Sequence, residues 1–524
     1  NFSGWPVLSN FQSAVFYPFN VLYFVLPQIY AWSLLVILQP LLAGFFTFLF
    51  ARRIGISKIG SLLSAITYGF SSFMTVWLEY NTIGHVIAWM PLALLSAENL
   101  LVYKKFRWFC FFIFSQTASL LAGHPQIFVY EYIFVLAYVI YRILSFRHSG
   151  LFPHPNPLPK GEGGVRERLP FFLVLFLFPL GIGAIQIIPG IELIKESARA
   201  PHDYNFLLHK ILIQPWQFIM MVVPDFFGNP ATRNYWIEDT YIGKVTYIGI
   251  ISLFFVFFAF KNLKKSFILF FTIAGAIVLL LSSSNPITAF IYKLNLPFIS
   301  SSAPTLSIFL FCFCISILSG FGIDIYRSEK WNIARIIKFV SPLVFIILFL
   351  WIIVLFAPNL ISDKLLENLT IAKRNLLYAS FFVGVGIFLI LVGTVKKQLV
   401  FLVLILLLII QTGDLFRYFT KFNPFVPKEL VFPKAEVLEF LKKESGIDRF
   451  WGYGSANIEA NFATEYALFS TDGYDPLYPK RYGEFIQASR NGKIGTKFTR
   501  QTRSDAFIAP GFRETGLKIL DLLG

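Results

Sequence analysis

Twelve apolar stretches, each about as long as a helix that crosses a bilayer, dominate this chain. The hydrocarbon core of a membrane is about 30 Å thick, so a spanning helix needs about 20 mainly apolar residues. A backbone in lipid must satisfy its own hydrogen bonds, and an α-helix does so within one segment. The pattern therefore predicts an all-α polytopic transmembrane bundle of about 12 helices. The stretches are 29–51, 59–80, 84–103, 107–122, 126–145, 170–190, 245–260, 267–283, 304–326, 337–357, 376–394 and 399–413.

The composition excludes a soluble globular protein. Hydrophobic residues fill 56% of the 524 positions, charged residues fill only 14%, and 63 residues are Phe. A soluble fold has too little polar surface to cover that much apolar material. The Phe residues suit lipid-facing surface, helix packing or the wall of a groove for a lipid chain, and all three placements stay open.

Basic residues favour one set of connections between the stretches. Alternate connections carry 20 Lys and Arg residues, whereas the short connections on the other side carry four, namely Lys293, Lys364, Lys373 and Arg374. Cytoplasmic connections are the ones enriched in Lys and Arg, so the C-terminal tail is predicted to face outward. The net charge of +16 is then mostly a topology signal, with some attraction to anionic lipid head groups. Nucleic-acid binding is disfavoured because the basic residues are spread over six loops.

The same pattern predicts three regions. We expect an outer interfacial segment over 1–28, a transmembrane domain over 29–413 and a small extracytoplasmic α/β domain over 414–524. The chain starts without an initiator Met and stops within an apolar run, so we expect further sequence at both ends.

Two loops and the tail have distinct compositions. Residues 148–169 are rich in Pro, Gly and charge, which predicts a disordered cytoplasmic insertion. Residues 191–244 form a long outer loop. In the tail, Pro433 and Gly446 bracket a helical pattern, and 449–453 is expected to be a strand.

Polar residues outside the basic connections concentrate at the predicted outer corners. Residues 9–20 mix amides with aromatic rings and suit a segment lying in the headgroup layer. Interfacial anchoring, capping and turn formation are the structural alternatives to ligand binding here. The substrate-binding candidates in this segment and the next two corners are Gln12, Tyr17, Asn20, His85, His124 and Gln126.

Three acidic residues are candidates for chemistry. Glu79 ends a stretch at the outer interface, and Asp225 lies in a loop bounded by Pro and Gly. Both are catalytic candidates, with helix termination and turn formation as alternatives. Glu131 lies about 7.5 Å of helical rise below Gln126, where a carboxylate is costly and usually faces a cavity or a partner. It predicts a polar pocket beneath the His124 corner or a structural hydrogen bond to another helix.

Outer cations are candidates for binding an anionic group. Lys244 is the best placed because it stands at the start of a stretch, and Tyr241 precedes it in the same binding segment. His85 and His124 leave a shared divalent metal open, but two histidines without a spaced carboxylate do not make a ligand set. No other cofactor is predicted.

Six segments occur in the order of a known family. Across them the chain resembles bacterial YfhO-type membrane proteins of the GT-C class of lipid-linked-sugar glycosyltransferases. The segments are 12–20, 85–92, 123–126 (GHPQ), 224–228 (PDFFG), 241–249 and 473–477 (GYDPL) with 481–482.

The resemblance implies an enzyme of the bacterial cytoplasmic (inner) membrane that takes a sugar from a polyprenyl-phosphate carrier. The anionic group that Lys244 would contact is then the donor phosphate. Its implied partners are the lipid-linked sugar donor, membrane lipids and a cell-envelope glycopolymer or protein acceptor. Such enzymes carry an acid in the first outer loop, and residues 1–20 contain no Asp or Glu, so we expect that acid upstream of Asn1. A non-catalytic membrane scaffold and a lipid or sugar transporter remain alternatives, although the sequence lacks the paired broken helices typical of transporters.

Overall fold

The chain folds as a bundle of α-helices. The computed structural model describes residues 2, 4–147, 165–199, 202–295, 301–356, 363–452, 458–459, 461–491, 508 and 521–523. Its helices are α1 (Leu22–Val25), α2 (Gln28–Arg53), α3 (Lys58–Gly69), α4 (Ser72–Trp77), α5 (Ile83–Ala88), α6 (Met90–Tyr103), α7 (Phe106–Leu121), α8 (Pro125–Arg147), α9 (Val165–Ile182), α10 (Ala184–Glu196), α11 (Tyr204–Phe206), α12 (Ile250–Ala259), α13 (Ser266–Ser282), α14 (Pro286–Lys293), α15 (Ile308–Ser328), α16 (Ile333–Phe356), α17 (Asp363–Val395), α18 (Val400–Phe422), α19 (Glu436–Ser445) and α20 (Lys480–Asn491).

Each of the twelve predicted apolar stretches corresponds to helix within the described residues. Eight helical segments are long and apolar enough to cross a membrane, one further segment is a bent pair, and three helices are shorter. These are the features of a multi-pass membrane protein, so the prediction of an all-α bundle is confirmed. The eight long segments are Gln28–Arg53, Lys58–Tyr80, Ile83–Tyr103, Pro125–Ser145, Pro304–Ser328, Ile333–Phe356, Leu366–Val395 and Lys397–Phe422.

The predicted stretch 170–190 is a broken helix instead of one straight span. The axes of Pro170–Ile182 and Ala184–Glu196 differ by 69°. The break falls at Gly183, where a Cβ would come within 2.0 Å of the Leu120 side chain of α7, so a larger residue would force Leu120 to move. Helix α10 consequently continues to Glu196, past the predicted start of the outer loop at 191. Most of the predicted insertion 148–169 lies outside the described residues, which resume with α9 at Val165.

The centre of the bundle is α15, which is apolar around almost its whole circumference and buried along most of its length. Such a helix is stable only when other helices enclose it. Two glycines permit the close contacts. A Cβ on Gly322 would come within 1.7 Å of the Phe255 carbonyl oxygen, and one on Gly60 within 2.5 Å of the Gly320 carbonyl oxygen. Helices α12 and α3 therefore pack against α15 at backbone distance, as small residues allow in membrane bundles.

The Lys/Arg-rich connections meet at one end of the bundle, called here the basic end. The Asp324 carboxylate near the end of α15 accepts a hydrogen bond from the Ser57 backbone N–H at 2.7 Å, and Glu329 forms an ion pair with Lys261. The predicted outer corners lie at the opposite end, called here the corner end. The clustering of the basic connections agrees with the sequence pattern, while the side of the membrane that each end faces remains a prediction.

The tail differs from its prediction in two respects. Helix α18 runs on to Phe422, so Asp414, where the tail was expected to begin, is a buried residue inside that helix. Among the described residues of the tail there are helices and no strand, so an α/β domain is not supported. Phe450, in the expected strand 449–453, forms a single parallel bridge with Ser470, and Tyr453 lies outside the described residues.

Candidate functional site

The N-terminal segment lies between the first two predicted corners and contacts both. The Tyr17 hydroxyl is 2.9 Å from His85 Nδ1. On the other side, a Cβ on Gly123 would be 3.1 Å from the Phe11 carbonyl oxygen and 3.4 Å from the Ala14 side chain. Gly123 has a φ of +105°, which favours glycine and permits this tight turn. Residues far apart in sequence thus form one surface at the corner end.

A buried hydrogen-bond chain orients His85. The indole N–H of Trp89 donates to the Tyr17 oxygen at 3.2 Å, and His85 Nε2 is 3.1 Å from Asn81 Oδ1. The Gln39 amide donates to the same Asn81 oxygen at 2.9 Å. All bonds are satisfied if Tyr17 donates to Nδ1 and a neutral His85 donates from Nε2. Burial raises the pKa of Tyr17, so its hydroxyl keeps the proton that this chain needs.

The other two candidates of the N-terminal segment have local contacts. The Asn20 amide donates to the Ala14 carbonyl oxygen at 2.8 Å, which stabilises the turn. The Gln12 side chain is exposed, and its backbone N–H donates to Asn10 Oδ1 at 2.8 Å. Asn10 in turn donates to Asp475 of the tail at 2.8 Å. The tail motif around Asp475 therefore packs on the N-terminal segment.

The second corner contacts a short segment that precedes α15, called here the 301–305 segment. Gln126 Nε2 donates to the Ala303 carbonyl oxygen at 2.8 Å and to the Tyr130 hydroxyl at 2.9 Å. The Arg199 guanidinium donates to the Ser301 carbonyl oxygen at 2.7 Å. An arginine from a distant loop therefore supplies positive charge to a segment whose own residues have none.

His124 caps α8 at this corner. Its Nδ1 accepts a long hydrogen bond of 3.5 Å from the Ile127 backbone N–H. Burial, and next the charge of Arg199, lower the pKa of His124 to about 4. The imidazole is therefore neutral near pH 7, with its proton on Nε2.

Glu131 is fully buried beneath the same corner. Its carboxyl group is 2.6 Å from Ser119 Oγ and accepts from the Gln116 amide at 2.9 Å. Both partners are on α7, so Glu131 joins α8 to α7. Of the two sequence-based alternatives, these contacts are those of the structural hydrogen bond between helices.

A second group of polar residues lies along one face of α18, called here the α18 polar stripe. Its members are spaced by three or four residues, which places them on one side of a helix. Each bonds the chain between 225 and 252. The members are Gln411, Asp414, Tyr418 and Lys421.

Asp225 lies at the corner end of this stripe and is only 1% exposed. One carboxylate oxygen pairs with the Lys421 ammonium, and the other accepts from the Asn229 amide at 2.9 Å. The Asn375 amide donates to the Asp225 backbone carbonyl at 2.7 Å. The loop around Asp225 is thus anchored to both α17 and α18, and the carboxylate has an opposite charge beside it.

Tyr241 also contacts the stripe. Its hydroxyl is 2.8 Å from that of Tyr418. Burial, followed by the proximity of Tyr418 and of the Asp225 charge, raises the pKa of Tyr241. Tyr241 is therefore a neutral phenol next to the Asp225 and Lys421 pair.

Lys244 is fully buried instead of facing an open surface. Its ammonium is 2.6 Å from Asp239 Oδ2, and Asp239 also accepts from Gln217 and Tyr235, each at 2.7 Å. Burial lowers the pKa of Lys244, and the Asp239 carboxylate opposes that effect. The ammonium predicted to contact a donor phosphate is thus turned toward an internal carboxylate.

Glu79 is exposed at the end of the helical segment Lys58–Tyr80, and no hydrogen bond or ion pair to it is found among the described residues. It stands four residues beyond Thr75, whose carbonyl oxygen accepts from the Asn423 amide at 3.1 Å. Asn423 follows Lys421 by two residues, so Glu79 and the Asp225 and Lys421 pair belong to the same end of the bundle. Glu79 is the accessible carboxylate of the two catalytic candidates.

The 301–305 segment connects the two groups of candidates. Ala303 accepts from Gln126 at the corner, and the Thr305 hydroxyl would lie 3.0 Å from a Cβ on Gly243, next to Lys244. The structure therefore brings all the predicted site residues to the corner end. They form two neighbouring groups, with Glu131 as a buried support beneath the first.

Sequence reasoning missed Asp239 and the C-terminal half of the α18 polar stripe. The predicted stretch ends at 413, whereas α18 runs to Phe422 and includes Tyr418 and Lys421. The three- and four-residue spacing of Gln411, Asp414, Tyr418 and Lys421 is the signal that would have identified them. The pairing of Lys421 with Asp225 has no signal in a single sequence.

Within the described ranges, no group of three or more His, Cys, Asp or Glu side chains is arranged to hold a metal ion. His85 has both ring nitrogens within hydrogen-bond distance of protein oxygens. No protein-family model matches the chain, and no curated protein or solved structure matches it.

Proposed function

We propose that this chain is a membrane glycosyltransferase of the GT-C class, acting on the outer face of the bacterial cytoplasmic membrane. Its donor is a sugar on polyprenyl phosphate, and its acceptor is a cell-envelope glycopolymer or protein. The acceptor hydroxyl attacks the anomeric carbon, and the bond from that carbon to the phosphate oxygen breaks. The phosphate leaves with the bonding electrons, and a carboxylate takes the hydroxyl proton.

One observation carries the proposal. The six segments that resemble the glycosyltransferase family are spread from residue 12 to residue 482, yet they meet at the corner end. Tyr17 contacts His85, Gly123 packs on Phe11, and Asn10 bonds Asp475. Segments 224–228 and 241–249 are held together by the α18 polar stripe. A shared site is a physical reason for such dispersed segments to converge.

The contacts suggest a division of roles. Glu79 is exposed and without a partner among the described residues, so we assign it the acceptor proton. Lys421 is partly exposed, with 22% of its side chain accessible, and Arg199 is also partly exposed. We assign these two cations to the leaving phosphate, whose developing charge they stabilise. Asp225 is a positioning residue that holds Lys421.

A non-catalytic scaffold is the second candidate. It is favoured by the internal satisfaction of Asp225, Glu131 and Lys244, each of which is engaged by protein groups. A scaffold needs those bonds for stability alone and predicts no role for the exposed Glu79.

Transfer measured in proteoliposomes tests the proposal. The purified protein would be reconstituted with a panel of radiolabelled polyprenyl-phosphate hexoses and supplied with isolated cell-envelope acceptor. Glu79→Gln should lower transfer by about 100-fold or more, the usual size of a general-base contribution, with unchanged yield and melting temperature. Glu192→Gln, which removes an exposed carboxylate of α10, is the matched control and should transfer normally.

Three results would count against parts of this account. A parent protein that transfers none of the panel would favour the scaffold. An active parent with a normal Glu79→Gln variant would refute the role of Glu79 and leave the reaction class standing. An equal loss in Glu79→Gln and Glu192→Gln would show that surface charge, instead of a specific base, is being measured.

A further inference from the structure

A cavity of about 510 Å³ lies at the basic end of the bundle, opposite the proposed site. It is bounded by the end of α15, the connection into α16, the end of α17 and the start of α18. Its volume falls within the range of about 300–1,000 Å³ typical of small-molecule sites. The reaction proposed above does not use it.

The charged wall of the cavity is positive. Arg327, Lys330 and Lys397 line it and have exposed side chains. Glu329 is the one carboxylate on this wall, and it forms an ion pair with Lys261. Arg327 also lies near Asp324, which accepts from the Ser57 backbone N–H at 2.7 Å. Together these side chains carry more positive than negative charge at the mouth of the cavity.

An unused hydrogen-bond donor lies on the same wall. Trp331 lines the cavity and is 9% exposed. Its indole Nε1–H is buried and has no hydrogen-bond partner among the described residues. The ring is held by Phe258, Phe339 and the Lys261 ammonium, at 4.9, 5.3 and 4.7 Å. A buried donor without a partner is costly unless a ligand or water satisfies it.

The remaining wall is apolar and continues onto the outside of the bundle. Phe401 lines the cavity and is 65% exposed. Leu402, which follows it in sequence, and Val395, at the end of α17, are 52% and 64% exposed. In a membrane protein such a surface contacts lipid chains. The ligand therefore has a charged part among the cations and an apolar part along the start of α18.

We propose that this cavity binds the headgroup of an anionic glycerophospholipid from the leaflet at the basic end. The phosphodiester would lie between Arg327 and Lys397 and accept a hydrogen bond from the indole N–H of Trp331. An acyl chain would lie along Phe401. Arginine binds phosphate oxygens through two N–H groups, and charge-assisted hydrogen bonds are stronger than neutral ones. Basic pockets between membrane helices are suited to such headgroups.

Lipid binding to matched charge variants tests the inference. Native mass spectrometry of the detergent-solubilised protein would count adducts of phosphatidylglycerol and of phosphatidylcholine. The cavity variant is Arg327→Gln, Lys330→Gln, Lys397→Gln. The control is Lys105→Gln, Lys264→Gln, Lys265→Gln, which removes the same charge from exposed lysines at the basic end that do not line the cavity.

We expect the parent and the control to bind phosphatidylglycerol alike, and the cavity variant to bind it at least about tenfold more weakly. Trp331→Phe keeps the ring and removes only the N–H, and it should weaken binding by about tenfold, as for a lost bond to a charged group. Phosphatidylcholine should bind far less well in every case.

Three outcomes would overturn the inference. Equal loss in the cavity and control variants would mean non-specific attraction to surface charge. Unchanged phosphatidylglycerol binding in Trp331→Phe would show that the indole N–H does not bind the lipid. Displacement of the lipid by millimolar inorganic phosphate would identify a site for free anions instead of a lipid site.

Discussion

The Lys421 ammonium pairs with the Asp225 carboxylate across 196 residues of sequence. Asp225 lies in a loop after the broken helix α9 and α10, and Lys421 lies in the last turn of α18. The pair ties the loop that carries Tyr241 and Lys244 to the end of the bundle. Its contribution to stability can be separated from any contribution to activity.

Removing one partner of this pair should destabilise the protein, whereas replacing both should restore stability. Asp225→Asn leaves Lys421 unpaired and should lower the free energy of unfolding by about 2–4 kcal/mol. This value is near the lower end of the range for broken buried ion pairs because Lys421 is 22% exposed. The double variant Asp225→Asn, Lys421→Gln should recover most of that loss. Thermal unfolding of the detergent-solubilised protein measures both. Sugar transfer by the same variants separates the two roles. If the double variant is stable but inactive, Lys421 acts in the reaction. If the double variant is stable and active, the pair is structural.

The contact between Asn10 and Asp475 should control how firmly the tail is held. Asn10→Ala removes a buried hydrogen bond to a carboxylate and should weaken tail docking by about 1–3 kcal/mol. Hydrogen exchange in 461–491 should speed up while exchange in α15 stays constant. Gln28→Ala removes an exposed bond between the same two regions, to Glu465, and should change exchange little. Equal effects in both variants would contradict a special role for the buried contact.

His124 should make the protein less stable in mild acid. Its pKa in the folded protein is about 4, below the ordinary value of 6.5, so the unfolded chain binds more protons between these values. The stabilisation is complete above about pH 6.5 and is lost as the pH falls toward 4. The melting temperature of His124→Asn, whose side-chain oxygen can still cap α8, should fall less over that interval. If the melting temperature falls equally with pH in the parent and the variant, His124 is not the origin of the acid sensitivity.

The Lys/Arg distribution predicts which end of the bundle faces the cytoplasm. In a Cys110→Ser background, which removes an exposed native thiol, Lys443→Cys in the tail should react with a membrane-impermeant maleimide in intact cells. Lys105→Cys at the basic end should react only after the cells are permeabilised. The reverse labelling pattern would invert the proposed orientation.

The sequence alone was sufficient for the helices because hydrophobic length and spacing are local properties. Each predicted stretch has a helical counterpart. The predicted helix bounds are wrong where a tertiary contact stabilises a residue that is unfavourable in a membrane helix. The predicted stretch ends at 413, but Asp414 is buried inside α18 and accepts from the Ile250 backbone N–H at 3.1 Å, so the helix continues.

The partners of the polar groups were decided only by the tertiary structure. Nothing near Glu131 in the sequence shows that its carboxyl group would bond to Ser119 and Gln116 of another helix. Nor does the sequence show that Lys421 would reach Asp225. Hydrophobic burial depends on the composition of each segment, and therefore appears in the sequence. The position of a charge relative to its partner depends on how helices pack, because electrostatic and hydrogen-bond energies change within a few ångströms.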